Sequence, residues 1–398
     1  MSAPLTPSYK DCLIKKLLQN EISANELSVL SEMVDAEDLS VILQHIYDLN
    51  EKSILEIAAL GGVMKIVDEY KNKRRNKAFI SKIKAGFRNE GHPNRKIILA
   101  EGDSWFNYPI ILTDTIDAIT MDPDLAVYSL AEGGDWLLNM LTARKYVEEL
   151  SVLYPDYFLI SGGGNDIVGA RRLAAIVQPQ HDAAQFHKNE WALNLIKQSN
   201  KTYVPLHEKD FEEGIGYLSK DFYSLLMFFK LQYTTLIHGI LKGSDAGHSK
   251  FPGIKIITQG YDFPVPSFNK GFGLTLSRWY IPFIRLFLGH GTWLKTPLQL
   301  RGIINAETQR RILYAMIYLF NEMMIDVGRG FNKTTPRVFH IDSRYSVGPL
   351  GWTDELHAQP KHFLNTGRVF SYCIHHNHKP HSATYDHVFV VTDILKKI

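Results

Sequence analysis

From about residue 95 onward, short apolar runs alternate with longer stretches of helical spacing. Four of the five runs are almost continuously apolar, which is typical of strands buried on both faces of a parallel sheet. Helical patterns such as Trp136 to Leu150 and Glu307 to Val327 lie between the runs. The alternation predicts an α/β domain with a five-stranded parallel sheet. The predicted strands are Lys96 to Ala100, Leu125 to Leu130, Tyr157 to Ser161, Ile254 to Thr258 and Arg337 to Ile341.

Two connections between these strands are much longer than one crossover helix requires. The third and fourth runs are separated by 92 residues, and the fourth and fifth by 78. Since a parallel crossover needs little more than a dozen residues, both connections are expected to carry helical insertions. The predicted α/β domain covers residues 95–398, with insertions at about 170–250 and 263–305.

The first 75 residues have a different pattern, in which apolar residues recur three and four positions apart. This spacing predicts a small helical N-terminal domain at residues 1–75. Ser23 and Glu26 have the spacing of a capping box, which places a helix start near Asn25.

A basic segment follows this helical region. Between Lys71 and Lys96 there are ten basic residues and one acidic residue, a local balance of +9 in a chain whose net charge is +2. We interpret residues 76–94 as a basic connector, and two readings of it remain open. It is either a solvated, partly helical link whose basic side chains pair with the α/β domain, or a patch for an anionic lipid surface or phosphate backbone.

The composition of the chain is that of a globular protein. The chain has 398 residues, 45% hydrophobic and 22% charged, with a mean hydropathy of -0.13, which is typical of a globular protein. We expect no transmembrane helix and no secretory signal, and Cys12 and Cys373 are too far apart in sequence to suggest a disulfide framework. These features predict a cytoplasmic protein. The small net charge gives no reason to expect nucleic acid as a partner.

Candidate chemistry follows the carboxyl ends of the predicted strands, where reactive groups of open parallel sheets lie. A tight turn, Glu101-Gly102-Asp103-Ser104-Trp105, presents a serine after the first strand. Glycine-rich turns follow the second and third strands, and the latter ends in Asn165-Asp166. After the fifth strand, Asp354 precedes His357 by three residues. At this spacing the carboxylate can fix the tautomer of the imidazole, whose other nitrogen can face a serine.

The four motifs, in the order GDSW, EGGDW, GGGND and DELH, resemble the blocks of the SGNH hydrolases, also called the GDSL esterase and lipase family. The phrases AEGDSWFNYP, SGGGND, QGYDFP and WTDELH are similar to one bacterial branch of it. The resemblance covers about 300 residues and implies a flavodoxin-like three-layer sandwich. One departure is Ala358-Gln359 after the histidine, where the branch commonly has proline and then glycine.

The resemblance also implies roles for individual residues. Ser104 would be the nucleophile, His357 the general base and Asp354 the residue that orients the imidazole. The oxyanion hole would consist of the backbone N–H groups of Ser104 and Gly134 and the side-chain amide of Asn165. Asn165 could instead tie two loops together, and Asp354 could instead cap a helix.

Trp105 and Trp352 are candidate substrate-pocket residues, although Trp105 could equally be a packed core residue. Aromatic residues in the two insertions are either helical core or a lid or acyl groove over the serine. The histidines of the tail, from His375 to His387, are expected in a solvated loop. The predicted chemistry needs no metal and no other cofactor.

The sequence therefore predicts a serine esterase that hydrolyses acyl esters of a lipid, a phospholipid or an O-acetylated carbohydrate. Transfer of the acyl group to another alcohol remains open, since the same acyl-enzyme serves both reactions. The alternative is a non-catalytic binding or adaptor protein that uses the same fold with an N-terminal helical interaction domain. The expected partners are the ester substrate and, through residues 1–96, an anionic lipid surface or a protein.

Overall fold

In a computed structural model of the protein, the chain is organised around a parallel β-sheet. The structure describes residues 8–19, 21–35, 38, 41–42, 45, 62–88, 91–108, 113–168, 172–242, 250–266, 293–333, 336–377 and 387–398, with the backbone alone for residues 62–70.

Six strands form the sheet within the described part of the chain, in the order β2-β1-β3-β4-β5-β6, and every neighbouring pair is parallel. The prediction of five strands was therefore wrong by one. The missed strand has three residues and pairs with β5 through His340 and Val388. A run this short, next to a polar stretch, has too few positions to show a period. The strands are β1 (Lys96–Gly102), β2 (Leu125–Ser129), β3 (Tyr157–Ser161), β4 (Lys255–Gln259), β5 (Val338–Asp342) and β6 (Val388–Val390).

Sixteen helices lie among the described residues. They are α1 (Tyr9–Leu18), α2 (Ala24–Met33), α3 (Gly62–Lys84), α4 (Thr115–Thr120), α5 (Leu137–Ala143), α6 (Lys145–Leu153), α7 (Gly164–Ile167), α8 (Arg172–Ala175), α9 (Ala184–Lys188), α10 (Glu190–Gln198), α11 (Glu208–Ile215), α12 (Lys220–Leu241), α13 (Lys295–Leu300), α14 (Ala306–Phe331), α15 (Pro360–His376) and α16 (Val391–Ile394). The helical pattern predicted from Trp136 to Leu150 is divided into α5 and α6 at Arg144, whose φ is 51°.

Helices cover both faces of the sheet, because successive side chains of a strand point to opposite faces. Leu99 of β1 and Phe158 of β3 contribute to the core that includes α5, α12 and α14. Ile98 and Leu159 contribute to the opposite core, with α4, α15 and α16. The architecture is therefore an α/β three-layer arrangement, as predicted.

The N-terminal helices α1 and α2 pack on α12. Both begin with a capping box, and that of α2 involves Ser23 and Glu26, so the predicted helix start is correct to one residue. Ser224 of α12 donates a hydrogen bond to the carbonyl of Leu18 at 3.1 Å, and Thr235 donates one to Ser31 at 3.1 Å. The two helices thus contribute side chains to the same core as the α/β domain.

The basic segment is helical as far as Lys84, where α3 ends. Its inner face pairs with the α/β domain: Lys71 and Arg75 form ion pairs with Asp114 at 2.5 and 2.6 Å, and Arg75 reaches Asp117 at 2.7 Å. Arg75 is buried, whereas Lys73, Arg74 and Lys77 are exposed. The pairing of Arg75 agrees with the reading in which basic side chains of this region pair with the α/β domain, although Arg75 is buried and not solvated. Binding of an anionic surface by the exposed basic residues stays a prediction.

The first insertion contains α8 to α12. Its aromatic residues on α12, including Phe222, Phe228 and Tyr233, are buried in the core. In the second insertion the aromatic residues from Phe272 to Phe287 lie outside the described residues. No helix in the described ranges is long and apolar enough to cross a membrane.

The tail departs from the expected solvated loop at three of its histidines. His375 and His376 lie in the last turn of α15, where His375 contacts Asp122 at 2.9 Å. His387 is buried, and its ring lies 3.1 Å from the carbonyl of Ile325. His378 and His381 lie outside the described residues.

The ion pairs between α3 and the start of α4 predict that substitutions of the neighbouring residues Arg74 and Arg75 change the unfolding free energy by very different amounts. Arg75→Ala leaves the buried Asp114 carboxylate without its main partner, so we expect unfolding free energy to fall by about 3–5 kcal/mol. The exposed Arg74→Ala is the matched control and should change it by less than about 0.5 kcal/mol. Urea unfolding measures both, and equal losses would contradict this assignment.

Candidate active site

Ser104 lies in the turn that follows β1. Gly102 allows β1 and β3 to approach closely here, since a Cβ atom at this position would lie 2.8 Å from the carbonyl of Ser161. The Asp103 N–H donates to that carbonyl at 2.9 Å, and the Asp103 side chain accepts from the Trp105 N–H at 3.0 Å. These bonds fix the backbone on both sides of the serine, which is 5% exposed.

His357 contacts both Ser104 and Asp354. Its Nε2 lies 2.8 Å from Ser104 Oγ, and its Nδ1 lies 2.8 Å from Asp354 Oδ2. A carboxylate can only accept here, so Nδ1 carries the hydrogen and Nε2 is left to accept the serine proton. Asp354 also accepts the backbone N–H groups of Leu356 and His357, each at 2.8 Å. It therefore both caps its own loop and orients the ring.

The imidazole is supported from one side by Tyr108. The two ring centroids are 4.9 Å apart. The Tyr108 N–H donates to Asp114 at 3.1 Å, and its carbonyl accepts from Lys71 at 3.0 Å. Helix α3 and its ion pairs with Asp114 thus hold the residue that packs on His357.

Asn165 lies at the start of α7, after the turn of β3. Gly163 precedes that helix with φ of 99°, a conformation that favours glycine. The Asn165 amide donates to the carbonyl of Asp135 at 3.0 Å, so it ties two loops together. An amide nitrogen carries two hydrogens, and the side chain also lines the cavity beside Ser104, so it can serve both predicted roles.

Gly134 occupies a tight turn with φ of 80°, where a residue with a side chain would be strained. It lies next to Asp135, whose carbonyl receives the Asn165 amide. Among the described residues that form the cavity wall, Asn165 is present and Gly134 is not. A role of its N–H in an oxyanion hole stays a prediction.

An apolar cavity adjoins Ser104. Trp105 and Trp352, the predicted pocket residues, both line it. Trp105 is also packed, with ring centroids 5.3 Å from Phe363 and 5.4 Å from Tyr261, so it belongs to the core. Contact of either tryptophan with a substrate stays a prediction. The cavity has a volume of about 40 Å³. This is room for about three water molecules, at roughly 10–15 Å³ each. The rest of its apolar wall consists of Ile167, Val168, Pro264, Leu313, Met316, Ile317 and Leu356.

Sequence reasoning missed two residues that hold this site together. Tyr261, two residues after the end of β4, contacts both Asp103 and Gly164. Glu355 accepts the backbone N–H groups of Trp293, Leu294 and Lys295 at 3.0 to 3.1 Å, which joins the histidine loop to the second insertion. Tyr261 follows the carboxyl end of a strand, as the four motifs do, and this position indicates that it lies near the candidate site. The contacts of Glu355 have no signal in the sequence.

Several buried carboxyl groups around the candidate site have a raised pKa, among them Asp103 and Asp166. Burial raises the pKa of Asp103 to about 6, and burial raises the pKa of Asp166 to about 7. The Leu137 N–H donates to Asp166 at 3.1 Å. No group of three or more His, Cys, Asp or Glu side chains suited to a metal occurs within the described ranges.

Comparisons of this chain with protein-family models, with curated proteins and with solved structures give no significant match.

The raised pKa of Asp166 predicts how stability depends on pH. The folded protein keeps this proton up to about pH 7, whereas the unfolded chain loses it near its ordinary pKa of about 3.9. The contribution to stability is therefore full below about pH 3.9 and is lost as pH rises through 7. Asp166→Asn removes this loss, so its unfolding free energy relative to the wild type should increase between pH 5 and pH 8 by more than about 1.4 kcal/mol.

Urea unfolding at the two pH values measures this difference. Glu212→Gln, at an exposed carboxylate of α11, is the control and should show none. A constant difference for Asp166→Asn would mean that Asp166 ionises normally in the folded protein.

Proposed function

We propose that this protein is a serine esterase that hydrolyses carboxylic esters through an acyl-enzyme on Ser104. The observation that carries the proposal is the chain of hydrogen bonds from Ser104 Oγ to His357 Nε2 and from His357 Nδ1 to Asp354, each 2.8 Å long. A serine, a base and a residue that orients the base within hydrogen-bond reach define an activated nucleophile.

The architecture supports assigning the chain to the SGNH hydrolases. The strand order begins 2-1-3-4-5, the order of flavodoxin-like folds, and adds β6 at one edge. Ser104, Asn165 and His357 follow β1, β3 and β5. Their common position at the carboxyl ends of the strands is where ligands bind in open α/β sheets.

In the first step Ser104 Oγ attacks the ester carbonyl while His357 Nε2 takes its proton. The negative oxygen of the tetrahedral intermediate accepts hydrogen bonds from the Ser104 N–H, the Asn165 amide and the Gly134 N–H. The intermediate collapses as the imidazolium gives its proton to the leaving alcohol, and the acyl group stays on Ser104. Water attacks this ester with His357 again as base, which releases the acid and restores the serine.

Burial favours this chemistry. Ser104 is 5% exposed and His357 is 7% exposed, so the charges that form during the reaction are poorly screened by water. Fixed dipoles such as the Asn165 amide then act more strongly than they would in solvent.

The size of the cavity favours a short acyl group. Space for about three waters, as found beside Ser104 among the described residues, matches an acetyl or propionyl group better than a fatty acyl chain. The aromatic residues of α12, which could have formed an acyl groove, are buried in the core instead. We therefore favour short-chain esters, such as O-acetylated carbohydrates, over lipids.

Substitution of the three proposed catalytic residues tests the mechanism. Ser104→Ala and His357→Ala should each lower kcat for a p-nitrophenyl ester by at least about 10³, because the residues act as a unit. Asp354→Asn should lose less, since it orients the ring without exchanging a proton with substrate. His362→Ala removes a half-buried histidine of α15 and should leave kcat within about threefold.

Near-normal hydrolysis by purified Ser104→Ala would overturn this mechanism. A folded wild-type protein without activity on any ester would favour the binding or adaptor alternative.

A series of p-nitrophenyl esters tests the acyl preference. We expect kcat/KM to be highest for acetate or propionate and to fall by at least tenfold at octanoate, because a longer chain must displace packed side chains such as Leu313 and Met316. If kcat/KM increases steadily up to octanoate, at about 0.8 kcal/mol or less per methylene, the acyl group occupies a larger apolar site and the short-chain assignment is wrong.

A further inference from the structure

Tyr261 lies at the junction of two loops of the candidate active site. It lies two residues after the end of β4, and its hydroxyl contacts the Asp103 side chain and, at 3.1 Å, the Gly164 N–H. Asp103 immediately precedes Ser104, and Gly164 immediately precedes Asn165. A single hydroxyl group therefore bridges the loop of the nucleophile and the loop of the oxyanion donor.

The direction of both hydrogen bonds is determined by their partners. A backbone N–H can only donate, so the tyrosine oxygen accepts from Gly164. The hydroxyl hydrogen remains for Asp103 Oδ2, which accepts as a carboxylate. The other oxygen of Asp103 accepts from the Trp105 N–H at 3.0 Å and lies 3.4 Å from Ser161 Oγ.

The tyrosine itself has little freedom to move. Its ring makes edge contacts with Trp105 and packs against Phe320, with centroids 5.4 and 5.5 Å away. Its carbonyl accepts from the Asn321 amide at 3.0 Å. A Cβ atom at Gly164 would lie 3.0 Å from the ring, so a larger residue here would crowd the tyrosine.

We propose that Tyr261 is a positioning residue for ester hydrolysis, which sets the distance between Ser104 Oγ and the Asn165 amide through its bonds to Asp103 and Gly164. The inference rests on the proposed function. Displacement of a reacting group by about 1 Å can lower rates by about 10², so the hydroxyl should affect kcat strongly.

The Tyr261 hydroxyl also affects the ionisation of Asp103. Burial raises its pKa to about 6, while the Tyr261 hydroxyl opposes that effect by donating to the carboxylate. The other titratable groups that face Asp103 are Tyr233, His357 and Asp166. Loss of the hydroxyl should raise the pKa of Asp103 further, so the protonated form, which cannot accept all its present hydrogen bonds, persists to higher pH.

Tyr261→Phe removes the hydroxyl and keeps the ring that lines the cavity. We expect kcat on p-nitrophenyl acetate to fall by about 10- to 100-fold, with KM changed less than threefold. The acid limb of the kcat/KM profile should shift to higher pH. Tyr157→Phe is the matched control, because its buried hydroxyl also makes two hydrogen bonds, 3.0 Å to the Ile374 carbonyl and 2.7 Å to the Asn377 amide, at the opposite end of β3.

The control should lower thermal stability without changing kcat or the acid limb. Tyr261→Phe with unchanged kcat and an unchanged profile would overturn the inference if the wild type hydrolyses the ester in a Ser104-dependent manner. Loss of kcat without a shift of the acid limb would also overturn it, since a merely structural role predicts that result. If the wild type lacks Ser104-dependent hydrolysis, the proposed function is what fails.

Discussion

A buried carboxylate beside the proposed nucleophile is the constraint on which this site depends. Asp103 is 1% exposed and immediately precedes Ser104. A carboxylate without solvent needs hydrogen-bond donors from the protein, and these come from its own turn at Trp105, from Ser161 at the end of β3 and from Tyr261 after β4. Since β1, β3 and β4 are consecutive in the sheet, the donors that satisfy this carboxylate also fix the relative positions of the loops that carry the proposed catalytic residues.

The same principle extends to His357, which depends on polar contacts with distant parts of the chain. Tyr108 packs on its ring and is held through Asp114, which forms ion pairs with Lys71 and Arg75 of α3. On the other side, Glu355 binds three consecutive backbone N–H groups at the end of the second insertion. The segment before the α/β domain and the insertion within it are therefore part of the support of the site, although neither supplies a proposed catalytic group.

Local patterns were sufficient to predict much of the fold and the proposed catalytic residues. Buried parallel strands are continuous apolar runs, and reactive groups follow their carboxyl ends, so Ser104, Asn165 and His357 could be found without a structure. The three-residue β6 was missed because it is too short to show a pattern. Arg75, Tyr261 and Glu355 act through partners 39 to 158 positions away. The position of Tyr261 after a strand end placed it near the site, but no local property of the sequence indicates the contacts themselves. Pairing of Arg75 with the α/β domain was one of two open readings, but the charge pattern alone does not reveal which carboxylates it contacts or that it is buried.

Covalent labelling tests most directly whether Ser104 is activated by His357. A fluorophosphonate reacts with an activated serine regardless of the natural ester, and peptide mass spectrometry identifies the modified residue. The account predicts one phosphonate per chain, on Ser104, with a labelling rate at least about 10³ lower in His357→Ala and nearly unchanged in the control His362→Ala. Labelling of another serine, or labelling of Ser104 at the same rate without His357, would contradict it.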